Sequence, residues 1–162
     1  MNYSFGTDEY IQSVLNKYSI MLIKIAFTYL KSTADAEDTV QEVYLSLMKR
    51  GEGFTSEEHE KAWLIRVTIN KCKNHLRSAW HRLQVPLNED ISYLPEEEGE
   101  VLTEVLALPE KYRTVLHLYY YENYSIAEIA KILRRSPATV GTWLSRGRKL
   151  LKNKLNGGFD DE

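Results

Sequence analysis

Residues 125–155 read SIAEIAKILRRSPATVGTWLSRGRKLLKNKL, and how that stretch divides decides the fold of the chain. Ile126, Ile129, Ala130 and Leu133 recur at i, i+3, i+4 and i+7, the apolar stripe of an amphipathic helix. Ser125 precedes the stripe and is followed three residues on by Glu128, a capping box in which each side chain satisfies the other's orphan N–H. A second start lies at Ser136-Pro137, an N-cap followed by proline at the first helical position, where a missing N–H costs nothing. Beyond it, Val140, Leu144, Gly147 and Leu151, widened by Trp143 and Leu150, form an inner stripe. The opposite face carries Ala138, Thr142, Ser145, Lys149 and Lys152, with Arg146 and Arg148 on its flanks.

Small residues early and cations late suit a helix entering a DNA major groove, with close approach at its start and phosphate contacts further along. The pair has the form of a helix-turn-helix, although Arg134 and Arg135 occupy a corner where many such motifs carry glycine. On pattern alone, a solvated basic face is an equal alternative. Charge tips the balance: between Pro109 and Leu155 ten Lys/Arg stand against three Glu, in a chain whose net charge is −2.

The near-neutral total conceals segregation. Residues 1–60 hold five basic and ten acidic side chains, residues 61–83 six basic and none acidic, and residues 84–108 seven acidic and none basic. Alternating blocks of this kind predict separate surfaces for separate partners. The chain has 162 residues, 43% of them hydrophobic and 27% charged, enough for one domain or two small ones. Its single cysteine, Cys72, excludes an intramolecular disulfide and suits a reducing cytoplasm. No apolar run is long enough to span a bilayer, and the first ten residues are not a signal peptide.

The first sixty residues read as helices. Tyr10 to Leu30 is mostly apolar and predicts a largely buried helix, broken at Lys31-Ser32-Thr33, which offers a new N-cap. The next helix runs to about Lys49 with Ala36, Val40, Val43, Tyr44 and Leu47 inward. Its outer face carries Asp38, Glu42, Leu45 and Lys49, with Gln41 at the margin, and reads either as solvated or as partner-binding. Gly51 to Glu58 reads as a loop, and a helix follows from about His59 to Trp80. One of its stripes is apolar (Ile65, Ile69, Cys72, Leu76). Beside it lie Trp63, Arg66, Asn70, Lys73 and Arg77, a row able to stack on unpaired bases and track phosphates, or simply core and solvated cations. Residues 84–100, with two prolines and six acids, predict a flexible acidic linker. The expected organisation is all-α: a helical domain over 1–83, the linker, a second over 101–156 and a tail at 157–162. In the second, Val101 to Leu108 forms one helix and Pro109 to Glu122 the next, with Tyr112, Val115, Leu116 and Tyr119 inward and Asn123 as a left-handed cap. No Ser/His/Asp or Cys/His arrangement, phosphate-binding glycine loop or metal-ligand cluster is visible, so no enzyme, metal, cofactor or small-molecule substrate is expected.

Three stretches in order, DAEDTVQEVYLSLM at 35–48, AWLIRVTINKCKNHLR at 62–77 and LPEKYRTVLHLYYYENYSIAEIAKIL at 108–133, followed by a basic helix, resemble bacterial RNA polymerase sigma factors of the extracytoplasmic-function group. The resemblance covers residues 8–155 and implies sigma domains two and four joined by a linker. It also implies binding to core RNA polymerase, recognition and melting of promoter DNA, and an anti-sigma partner. By position it assigns Asp38, Gln41, Glu42 and Leu45 to the polymerase clamp helices, and Trp63, Arg66, Asn70, Lys73 and Arg77 to the opening −10 element. The loop from Gly51 to Glu58 corresponds to one that holds a flipped base. The −35 element falls to Arg135, Ser136, Pro137, Ala138, Thr139, Thr142, Ser145, Arg146, Arg148 and Lys149. Where this family commonly has a basic residue, the chain has Ile69, Gly141 and Trp143; Arg134 replaces a usual Gly and Asn74 a frequent Asp. A stand-alone helix-turn-helix regulator would account for residues 109–155 but leave the motifs of 35–77 unused.

Overall fold

A computed structural model of the chain describes residues 5–82 and 105–155; among them every regular element is a helix. The chain divides into two compact units, Met1–Asp90 and Ile91–Glu162. The expected linker at 84–100, the start of the helix expected from Val101 and the tail at 157–162 lie outside the described residues.

In the first unit, the Thr7 side chain accepts the Tyr10 N–H at 3.1 Å and starts α1 (Asp8–Leu30). Lys31 ends it in the left-handed region (φ 57°), its N–H donating to the Phe27 carbonyl. Ser32 then caps α2 (Thr33–Lys49), accepting from the Asp35 N–H at 3.2 Å, so the joint is as tight as the sequence predicts. Helix α3 (Glu57–Arg82) begins earlier than expected, because Ser56 accepts the His59 N–H at 3.0 Å and so caps it. Each of the three packs on the other two. Leu22, Ile25, Val43, Leu47, Leu64 and Ile65 are at most 1% exposed, each stabilising the bundle by about 1.5–3 kcal/mol. The predicted inner stripe of α2 is buried throughout, as are Ile65, Ile69 and Cys72 on α3, while Leu76 is half-buried.

In the second unit, α4 (Glu110–Leu116) does not continue as a plain helix. Its end widens into a π turn at His117–Tyr121, closed by the Glu122 N–H on the His117 carbonyl at 3.2 Å. The extra residue shifts the register: His117 and Leu118 are buried, whereas Tyr119, predicted to point inward, is half-buried. Asn123 takes the left-handed conformation (φ 58°) before α5 (Ile126–Leu133). Both capping-box bonds form, Glu128 N–H to Ser125 Oγ at 3.1 Å and Ser125 N–H to Glu128 Oε1 at 2.9 Å. Ile129 and Ala130 are buried as predicted; Ile132 is buried too, while Ile126 and Leu133 are half-buried. Arg134 turns the corner at φ 57°, and the Arg135 N–H reaches back to the Ala130 carbonyl at 3.0 Å in a Schellman-type closure. Ser136 accepts the Thr139 N–H at 3.1 Å and starts α6 (Pro137–Leu155). Val140 and Leu144 are fully buried, but Leu150, predicted to widen the inner stripe, is 38% exposed. Gly147 is buried against α4, where a Cβ would stand 3.3 Å from both Leu116 Cδ1 and Tyr112 Cβ.

Candidate nucleic-acid interface

The corner and cap of α6 turn one face of that helix to solvent. Arg135, Ser136, Pro137 and Ala138 at its start, and Thr142, Ser145, Arg146, Arg148 and Lys149 along it, are all exposed. Thr139 is half-buried, its hydroxyl 2.9 Å from the Ser136 hydroxyl. Apart from Arg135 in the corner, the side chains nearest the helix start are small, and the other cations follow. Two of the cations rest on aromatic rings: Arg148 lies 5.7 Å from the Tyr119 ring centroid and 5.9 Å from that of Tyr120, and Arg135 lies 5.8 Å from that of Trp143. Such contacts restrict a long flexible side chain and direct its charge.

On α2 the outer face presents Asp38, Gln41 and Leu45 to solvent, Leu45 at 53% exposure with Met48 exposed one turn on. Glu42 differs from its neighbours. It is half-buried and joined across to α3, with His75 Nε2 2.7 Å from its Oε2. Met48 extends the apolar part of this face, between the expected outer residues Leu45 and Lys49.

The stripe on α3 is less uniform. Asn70 and Arg77 are exposed, while Trp63, Arg66 and Lys73 are half-buried. Trp63 belongs to an aromatic group built from distant parts of the unit. Phe54, from the loop, lies 5.6 Å from Trp63, 5.1 Å from His59 and 6.1 Å from Phe5, which in turn meets Tyr10 at 5.0 Å. The Arg50 guanidinium sits 4.2 Å from the Phe54 ring and 5.3 Å from Trp63, and its Nε donates to the Glu52 carbonyl at 3.1 Å. Loop and stripe therefore form one surface, with a cation packed beside two neighbouring rings. His59 Nδ1 accepts the Thr55 N–H at 3.2 Å and closes the loop onto α3. Tyr10 donates to Glu60 Oε2 at 2.5 Å; burial first and Glu60 second push its phenol above the usual tyrosine range.

Residues 14–82 match the family model "Sigma-70 region 2" and residues 98–151 match "Sigma-70, region 4". The ECF RNA polymerase sigma factor SigM of Bacillus subtilis is 30% identical, over 96% of this chain and 98% of that protein. The chain belongs to the extracytoplasmic-function sigma factors. The probable RNA polymerase sigma factor RfaY of Xanthomonas campestris is 32% identical to this sigma factor over 84% of the chain, which spans 38% of that longer protein. Among solved structures, the sigma factor RpoE from Bartonella quintana, in complex with the anti-sigma factor NepR, superposes with a TM-score of 0.76 at 18% identity. That match covers 93% of this chain and 98% of the other, and it shows a shared fold. With both family models matched, the stand-alone regulator is not favoured.

Packing accounts for one departure of this sigma factor from the family pattern. Ile69 is 2% exposed among the α3 core residues, where a basic side chain would have to bury its charge. Gly141 has open space around it, with no atom within 4 Å of where a Cβ would stand. Among the described residues no helix is long and apolar enough to cross a membrane.

Proposed function

We propose that this sigma factor is the promoter-specificity subunit of a bacterial RNA polymerase, with the division of labour that its surfaces support. Asp38, Gln41, Glu42 and Leu45 bind the core enzyme. Trp63, Arg66, Asn70, Lys73 and Arg77 engage the −10 strand as it opens, with the Phe54 loop beside them. Arg135, Ser136, Pro137, Ala138, Thr139, Thr142, Ser145, Arg146, Arg148 and Lys149 read and hold the −35 duplex. The first two surfaces belong to a domain over residues 1–83 and the third to one over 101–156. The protein works in the cytoplasm, has no catalytic activity of its own, and is silenced by an anti-sigma protein that covers the polymerase-facing surface. The solved complex of the structurally similar RpoE with the anti-sigma factor NepR supports an anti-sigma partner.

The observation that carries this reading is Leu45, 53% exposed beside Asp38 and Gln41 on a helix whose other face is fully buried. A duplex-DNA regulator has no use for a large apolar side chain among acids, whereas a protein partner does. Run-off transcription with core polymerase and a genomic template, followed by core pull-down and promoter gel shift of two variants, tests it. Leu45→Asp is expected to lose core binding by about 2 kcal/mol or more while remaining folded by circular dichroism. Arg146→Ala is expected to weaken promoter binding by about 1–3 kcal/mol and leave core binding unchanged. A Leu45→Asp protein that still co-purifies with core, or an Arg146→Ala protein that loses both activities equally, overturns the assignment.

A further inference from the structure

We propose that Trp143 is an aromatic post holding Lys111 and Arg135 together as a clamp for one backbone phosphate of duplex DNA, beside the groove-facing side of α6. The inference rests on the DNA-binding reading above and adds Lys111, from a different helix, to the interface. Lys111 Nζ and Arg135 Cζ each lie 5.8 Å from the centroid of the Trp143 ring. The two cations come from the first turn of α4 and from the corner before α6. Both are exposed, and among the described residues neither forms an ion pair.

Lys111 Nζ also lies 5.2 Å from the centroid of the adjacent Tyr112 ring, but the helix charge does not favour the placement. A cation in the first turn of a helix opposes the macrodipole, so Lys111 does not stabilise α4, and Arg135 stands at the similarly unfavourable start of α6. Two cations sharing one ring also repel each other; the negative face of the indole offsets part of that repulsion. An anion between them relieves the rest and gains the nearby helix start as well. Trp143 is half-buried and turned about 100° around the helix from exposed Thr142, which sets the cations at the flank of the base-facing strip. A strand bordering the groove passes on that flank, so the anion is a phosphodiester and the contact carries no sequence information.

The test is the salt dependence of holoenzyme binding to a duplex fragment carrying the promoter recovered by run-off transcription. Lys111→Ala and Trp143→Ala are each expected to lower the log–log salt slope by about one and to weaken every base variant of the −35 site alike. The double variant is expected to lose no more than either single one, because one phosphate is shared, and Trp143→Phe to retain the parent slope. Additive losses overturn the clamp. So does a Lys111→Ala slope equal to the parent's in a series where Arg146→Ala weakens binding. If Arg146→Ala is also without effect, the reading of the α6 face falls with it.

Discussion

At Gly147 a Cβ would stand 3.3 Å from Leu116 Cδ1 and from Tyr112 Cβ, both on α4, whereas at Gly141 nothing lies within 4 Å. The same residue type on one helix therefore has two different causes. Gly147 allows α4 and α6 to touch, and a methyl there forces well-packed neighbours apart. Gly141 leaves the helix side open at a cost of about 1 kcal/mol in helix propensity, with no contact in the protein to justify it. Gly147→Ala sets that crowding against a helix-propensity gain of about 1 kcal/mol and is accordingly expected to lower the stability of the second unit by up to about 2 kcal/mol. Gly141→Ala is expected to raise it by about 1 kcal/mol and, under the proposed function, to weaken promoter binding by filling the open side of the helix. Thermal unfolding followed by circular dichroism, with a promoter gel shift, reads both. A Gly141→Ala protein that gains stability and binds promoter as the parent does would show that the open side plays no part in DNA contact.

At the scale of the element, most helix starts were legible in the sequence because caps are local chemistry, although α3 starts at Glu57, inside the stretch expected to be a loop. Ser32, Ser125 and Ser136 each make the bond their spacing predicts. Features resting on one extra residue or on distant partners were not. The π turn at His117–Tyr121 leaves no trace in a 3.6-residue pattern. The aromatic group joins Phe5 and Tyr10 to Phe54, His59 and Trp63, a proximity that appears only when α1 packs on α3. Arg134 shows a left-handed corner built without glycine, at about 1–2 kcal/mol that the packing of α5 and α6 must offset. The contact between α1 and α3 also sets an alkaline limit. Burial, then the Glu60 charge and its hydrogen bond, push the Tyr18 phenol from 10.0 up to about 12. Above pH 10 the unfolded chain releases this proton while the folded one keeps it, so stability is full below pH 10 and falls from there towards pH 12. Urea midpoints at pH 8 and at about pH 11 should show a smaller drop for Tyr18→Phe than for the parent, relative to their own values at pH 8. Equal drops would mean that Tyr18 is not the group responsible.

For the molecule as a whole, charge segregation along the chain becomes a division of surfaces. The acidic face of α2, with Leu45, belongs to one compact unit, and the basic face of α6 belongs to the other. Under the proposed function, opposite charge keeps each surface from competing for the other's partner, since an acidic face repels DNA. Two modest contacts then count as one strong one only while a single chain carries both. Under the proposed function, the first unit anchors to polymerase and the −35 contact of the second becomes intramolecular, at the millimolar effective concentration of a short tether. Severing the chain at a protease site inserted within residues 84–100, after holoenzyme assembly, is therefore expected to lower promoter-directed transcription by about 10²–10⁴ at nanomolar protein. The first unit should stay bound to core in a pull-down, and adding the released second unit at millimolar concentration should restore part of the activity. Transcription that survives cleavage undiminished would mean that the second unit reaches its promoter contact without the tether, and that the two surfaces need not share a chain to act.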